Sequence, residues 1–174
     1  MKILIFTTQI YQLGGAEKLA IELVHGLNSV NVETHLAVLY GSIEGKDLVY
    51  LNDLKAENYL IKEHYLLNTR VNPGIIDILK LVSKLKKIIK TNEFDYIETS
   101  MITPSIIATF ATLFGKCKHV VGFHQSFQME MYKDAKYKLF SILTWIARQN
   151  KYYGISDFVI NSWRNAKGFR IPQN

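Results

Sequence analysis

The sequence predicts a doubly wound α/β domain, a mostly parallel sheet with helices on both faces, and three observations carry that prediction. Short apolar runs alternate with segments of helical periodicity along the whole chain. The first run opens at the N-terminus, which places its strand centrally. A strand, a glycine turn, a helix and a second strand are complete within the first 40 residues, which makes a βαβ unit.

Residues 3–6 are apolar, unbroken and β-branched, as a strand covered on both faces requires. A loop over 7–13 leads to Gly14-Gly15 and a helix in which Leu19, Leu23 and Leu27 recur at helical spacing. Residues 32–39 read as the second strand, stopped by Gly41. The stretch 41–72 is irregular, with a short strand expected over 59–61. Pro73 suits the first turn of a helix that runs to about Lys90, with Ile75, Ile78, Leu79, Val82, Leu85 and Ile89 as its apolar stripe. Residues 94–99 read as a strand, 104–114 as a helix apolar nearly all round, and 119–123 as a strand. A helix follows over 134–150, with Leu139, Leu143, Ile146 and Ala147 facing the core, and then a strand over 152–155. Ser156 caps a last helix through Val159, Ile160 and Trp163 to Lys167, closed by Gly168, and a brief strand over 169–171 ends the pattern.

With 174 residues, 48% hydrophobic and 21% charged, ten Gly and three Pro, the chain is one globular domain rather than a disordered tail or a fibre. Its 21 Lys+Arg against 15 Asp+Glu give a formal net charge of +6, which favours an anionic partner: a phosphorylated ligand, anionic lipid or nucleic acid. A single cysteine, Cys117, excludes an internal disulfide and a Cys-only metal site and fits a reducing cytoplasm. The apolar start is too short for a signal-peptide core, and no run of about 18 apolar residues occurs.

In an open parallel sheet the ligand sits at the carboxyl ends of the strands, so the residues after each strand are the candidates. Gly14 and Gly15 let backbone amides approach a phosphate or sugar at a helix N-terminus, or serve only to turn the chain. Neither the dinucleotide fingerprint nor a P-loop is present. Glu17 in the first helical turn either bonds a ligand hydroxyl or compensates the dipole. His124, followed by Gln125 and Ser126, ends a strand; such a histidine binds a hydroxyl or phosphate, acts as acid or base, or is structural. Ser156 occupies the corresponding place after the sixth strand. His25, His35, His64, His119 and Cys117 lack metal-site spacing, so no metal is expected. The 73–90 helix carries Lys80, Lys84, Lys86, Lys87 and Lys90 on its other face, either as a solvated face or as a contact with an anionic membrane. Tyr132, Lys133, Lys136, Tyr137, Lys138, Phe140 and Trp145 add cationic and aromatic character to the 134–150 helix. No stacking platform or reading helix points to nucleic acid.

Met1-Lys2-Ile3-Leu4, Gly14-Gly15-Ala16-Glu17, Phe94-Asp95-Tyr96-Ile97-Glu98-Thr99, Val121-Gly122-Phe123-His124, Tyr153-Gly154-Ile155-Ser156-Asp157 and Arg170-Ile171-Pro172-Gln173-Asn174 follow one another as in a known family. In that order they resemble the N-terminal, acceptor-side domain of glycosyltransferase family 4, retaining enzymes of the GT-B fold, over essentially the whole chain. The resemblance implies a Rossmann-like half that receives the acceptor, with Gly14 and Gly15 on the interdomain cleft and His124 on the donor sugar. Glu17, Ser126 and Ser156 are the further substrate-side positions. A C-terminal domain absent from this chain would hold the nucleotide diphosphate sugar through an E-x7-E motif; no two glutamates here stand eight positions apart. Glu98-Thr99-Ser100 and Pro172-Gln173-Asn174 depart from the family pattern at the acceptor contacts and the hinge.

The function so implied is transfer of a hexose, with retention and without cofactor or metal in this chain, to a cell-surface glycan or glycolipid. It would take place in the cytoplasm, peripherally on the inner face of the plasma membrane, and the 174-residue chain alone is expected to be inactive. The alternatives are a non-catalytic binding or membrane-anchoring subunit of a split enzyme, and an unrelated nucleotide-binding α/β enzyme, against which the missing fingerprints argue.

Overall fold

The computed structural model describes residues 1–10, 14–40, 46–61, 63–67, 69 and 74–172. In chain order they form β1 (Lys2–Thr7), α1 (Gly15–Ser29), β2 (Glu33–Val38), α2 (Lys46–Ala56), β3 (His64–Leu66), α3 (Ile75–Thr91), β4 (Tyr96–Thr99), α4 (Ile102–Thr112) and β5 (Lys118–Phe123). A 3-10 turn (Met129–Lys133), α5 (Ala135–Ile146), β6 (Lys151–Gly154) and α6 (Asp157–Arg164) follow. The strands make one six-stranded sheet in the order β3-β2-β1-β4-β5-β6, and every pairing is parallel. The chain winds outward from β1 to β3, crosses over, and winds outward again from β4. The strand order therefore reverses between β1 and β4, and a crevice opens at their carboxyl ends.

Strand alternation sorts the core. Leu4 and Phe6 of β1 pack with Leu81, Leu85 and Ile89 of α3 and Ile107, Ala108 and Ala111 of α4. Ile5, on the opposite face, packs with Ala20, Ile21 and Val24 of α1 and Leu51 and Leu54 of α2. A third cluster fills the β5–β6 end, where Val121, Phe123 and Tyr152 meet Phe140 and Leu143 of α5 and Val159, Ile160 and Trp163 of α6. Within it Phe123 and Trp163 stack with ring centroids 4.4 Å apart.

Several expectations shift. The buried stripe of α1 is Glu17, Ala20, Ile21, Val24 and Asn28, with Leu19, Leu23 and Leu27 half-buried at its flanks. Helix α2 lies in the stretch read as irregular. Residues 59–61 are not a strand, because their backbone is committed elsewhere. The Leu60 amide donates to His25 Nδ1 (3.0 Å), its carbonyl accepts from Asn28 Nδ2 (2.8 Å), and the Ile61 amide donates to the Tyr59 carbonyl (2.9 Å). The third strand is His64–Leu66 instead. In α3, Leu79 is 65% exposed while Leu81 is buried, so the stripe is rotated from the one expected.

Helix α5 stops at Ile146, which is itself exposed, and α6 stops at Arg164. Gly168 does not close α6. It turns the chain at φ +94°, and a Cβ there would lie 2.5 Å from the Tyr132 hydroxyl. Residues 169–171 are not a strand, since the Arg170 amide donates to Thr144 Oγ1 (2.9 Å) while Phe169 and Ile171 pack into the third cluster. Gly41, Pro73 and residues 173–174 of the terminal link lie outside the described residues.

Beneath the crevice runs a buried polar chain. His119 of β5 is fully buried, and burial alone holds its pKa down at about 3. A neutral imidazole carries one donor and one acceptor. Its Nδ1 lies 3.2 Å from both Thr109 Oγ1 and Asn150 Nδ2, and since the amide can only donate, Nδ1 is the acceptor. Nε2–H therefore donates to Thr99 Oγ1 (2.8 Å). The Thr99 hydroxyl stands 2.8 Å from Ser105 Oγ, which donates to the Met101 carbonyl (2.8 Å).

His119 binds a proton far more readily unfolded (6.5) than folded (about 3), so its contribution to stability is complete above pH 6.5 and is lost as the pH falls toward 3. Urea titrations across that range should show this decline. In His119→Gln the decline should be shallower, while stability at neutral pH drops by roughly 1–3 kcal/mol from imperfect bonding.

Candidate functional site

The crevice is a cleft of about 1010 Å³ at the carboxyl edge of the sheet. Residues following four strands converge on it: Thr8 and Gln9 after β1, Ser100 to Thr103 after β4, His124 and Gln125 after β5, and Ile155 after β6. Gly15, Ala16 and Glu17 of α1 form one wall, and Lys136, Tyr137 and Trp163 the other.

Helix α1 begins at this edge with Gly14 as its N-cap, in an extended conformation with φ −82°. The glycine serves space rather than an unusual dihedral angle, since a Cβ at position 14 would lie 2.6 Å from Glu17 Oε2. Glu17 is buried in the first turn and accepts a hydrogen bond from Thr8 Oγ1 (3.1 Å). Its carboxylate stands where the positive end of the helix dipole would otherwise face an incoming anion. A Cβ at Gly15 would meet nothing within 4 Å, so that position is open to the cleft.

His124 sits one residue past β5. The loop after it is pinned to α6, because Trp163 Nε1 donates to the Gln125 carbonyl (2.7 Å) and the Phe127 amide donates to Ser162 Oγ (2.8 Å). The imidazole is half-buried, its ring 6.4 Å from that of Tyr153, and burial holds its pKa below the usual value. Nε2 is shielded from solvent and has no hydrogen-bond partner among the described residues. A neutral imidazole with one free nitrogen at the edge of a cleft can bond a sugar hydroxyl either as donor or as acceptor.

Under the floor, Glu98 of β4 is buried. Its Oε1 accepts from Ser100 Oγ (2.7 Å) and from the Tyr153 hydroxyl (2.8 Å), and Oε2 has no partner among the described residues. Burial pushes the Glu98 carboxyl up in pKa, against the two donors that lower it. Gly122 makes the arrangement possible, since a Cβ there would lie 2.5 Å from the Tyr153 hydroxyl. Because Ser100 gives its proton to Glu98, it offers the cleft only an acceptor.

The profile of Glycosyltransferase Family 4 matches residues 13–170. The chain belongs to Glycosyltransferase Family 4. No curated protein matches it in sequence. Among the solved structures that share its fold are a glycosyltransferase from Rickettsia africae ESF-5 (TM-score 0.66, 18% identity) and the apo form of the lipopolysaccharide outer core galactosyltransferase WaaB (TM-score 0.66, 15% identity). Each covers 97% of this chain, which spans 40% of the first and 43% of the second.

Within this family 4 domain the cleft gathers Gly15, Glu17 and His124, three of the positions singled out from the sequence, and Gly14 borders it through Glu17. Ser126 and Ser156 lie outside its lining. Ser126 is half-buried, and Ser156 caps α6 by accepting from the Val159 amide (3.3 Å). Thr8 and Ser100 fall in the stretches after strands that the sequence marks as candidates, without a role of their own, and Tyr153 of β6 enters there only within a family-like segment; its bond to Glu98 had no local signal.

The lysines of α3 are all exposed, away from the cleft. Lys84 Nζ donates to the Leu66 and Leu67 carbonyls (3.2 Å each), closing the end of β3. Among the described residues no three His, Cys, Asp or Glu side chains gather as a metal site. No helix among them is long and apolar enough to cross a membrane.

Tyr153→Phe removes one of the two donors holding Glu98. Urea unfolding should show a loss of about 1–2 kcal/mol, because a buried acceptor loses a partner. Unchanged stability would show that the Tyr153–Glu98 bond contributes nothing to the fold.

Proposed function

We propose that this domain is the acceptor-binding half of a retaining glycosyltransferase that moves a hexose from a nucleotide diphosphate sugar to a cell-surface glycan or glycolipid. The observation that carries the reading is the cleft at the strand-order reversal, with His124 on its lining and the buried Nε2 of that imidazole unpartnered among the described residues. The chemistry of the lining supports a polyhydroxylated ligand. Ser100 offers an acceptor, Glu17 a carboxylate, and His124 a neutral group of either sense, beside the aromatic walls of Tyr137 and Trp163. His124 is assigned to the donor sugar. The diphosphate, whose developing charge must be met by amides and cations as the bond to the sugar breaks, is assigned to a second domain.

This domain alone is then inactive. An immunoblot of the native polypeptide should find a species about twice its length, since chain length tracks domain number. A native species of this length would favour the two-chain alternative. In the complete enzyme, His124→Ala should lower kcat by about 10²-fold or more, the scale of a positioned side chain acting in the transition state. Its melting temperature should stay within a few degrees of wild type. Full turnover in that variant, assayed against a panel of nucleotide sugars, would remove His124 from the site.

The same reading places the protein in the cytoplasm, peripheral to the inner face of the plasma membrane, with the lysines of α3 facing anionic lipid. Reversing Lys84, Lys86 and Lys87 to Glu should weaken partitioning onto phosphatidylglycerol vesicles in a salt-dependent way. Unchanged partitioning makes this a solvated face.

A further inference from the structure

Opposite the cleft, at the amino edge of β4–β6, three features meet. The first is Phe114, in the turn between α4 and β5. At 93% exposed it is the barest large apolar side chain among the described residues. Phe110, one helical turn earlier, is also exposed. On the neighbouring α5, Ile142 and Ile146 are each 55% exposed, and Gln149 Nε2 donates to the Leu113 carbonyl (3.2 Å), tying the ends of the two helices together.

The second is a cavity of about 800 Å³ beside that turn. Ile89, Phe94, Ala111 and Cys117 contribute apolar walls, and Lys86, Lys90, Lys116 and Lys118 stand among its lining residues. The third is charge. Those four lysines, with exposed Arg148 and Lys151 on the same edge, face only Glu93 and Asp95 on this half of the edge, among the described residues. Asp95 already accepts from the Lys2 amide (2.8 Å).

An apolar tip ringed by cations complements a surface that is anionic outside and apolar beneath. We propose that this corner docks on an anionic lipid bilayer, with Phe114 entering the headgroup boundary and Lys86, Lys90, Lys116 and Lys118 meeting lipid phosphates. The inference rests on the membrane reading above and relocates its contact. On a helix of 3.6 residues per turn, Lys80, Lys84 and Lys87 share one flank of α3, while Lys86 and Lys90 share another. Lys84 is further occupied with the carbonyls of Leu66 and Leu67.

The test is sedimentation of the complete polypeptide with phosphatidylglycerol–phosphatidylcholine vesicles and with pure phosphatidylcholine vesicles. The protein should partition onto the mixed vesicles. Phe114→Asp should lower that partitioning by about tenfold, and the double reversal Lys90→Glu, Lys116→Glu by about 25-fold or more, each cation near the surface being worth about fivefold. The double reversal Lys80→Glu, Lys87→Glu should cost less than the Lys90/Lys116 pair. These positions are exposed, so melting temperatures should match wild type.

Undiminished partitioning in Phe114→Asp overturns the inference, as does a larger loss from the Lys80/Lys87 pair; either result leaves the membrane reading standing. Failure of the wild-type protein to bind either vesicle overturns both. Self-association that is lost in Phe114→Asp while partitioning is unchanged assigns the corner to a second copy of the chain and overturns the inference.

Discussion

The neutral imidazole of His119 is the interaction on which the cleft depends. It ties β5 to β4 through Thr99, to α4 through Thr109, and to the turn before β6 through Asn150. Because burial forbids the imidazolium, the direction of each bond follows from Asn150 onward, and the last donor, Ser105, is committed to the Met101 carbonyl. Ser105 and Met101 both line the cleft. The floor of the site is thus held by a chain of oriented hydrogen bonds as well as by apolar contact, and each of its members sits in a strand, a helix or the turn joining them.

Parallel pairing divides the domain into two ends with different physical chemistry. At the carboxyl edge the strands release polar residues into a cleft beside a helix N-terminus that Glu17 already neutralises. At the amino edge helices α3, α4 and α5 end; Lys90 lies in the last turn of α3, opposite the partial negative charge of its last carbonyls, and Lys116 and Arg148 follow a few residues past the ends of α4 and α5. These cations leave the surface strongly basic beside Phe114, and Lys90 both offsets the dipole of α3 and belongs to the patch.

The fold was largely legible because a buried parallel sheet demands apolar strands: residues 3–6 are a continuous apolar run, and 36–39 and 120–123 supply shorter ones within the strands read over 32–39 and 119–123. Rotational detail was less so. On α1 the leucine spacing pointed to Leu19, Leu23 and Leu27, yet Ala20, Ile21 and Val24 face the sheet. Residues 59–61 look like a strand, but Asn28 and His25 take their backbone groups, a long-range choice no local pattern records. Of the site, His124, Gly15 and Glu17 announce themselves by type and place. Glu98 stood out only as a departure from the family pattern. Its partnership with Ser100 and Tyr153 depends on the β4–β5–β6 register and on the absent side chain of Gly122.

Glu17 has one more consequence. With its carboxylate at the start of α1, the cleft has little positive potential of its own. Lys136 is the lysine on its lining, and Asp134 already pairs with it at 3.1 Å. The net charge of +6 therefore resides on other surfaces. An anionic donor diffusing toward this half would meet no funnel of field lines guiding it inward, so the rate at which it enters from this side should be nearly indifferent to ionic strength.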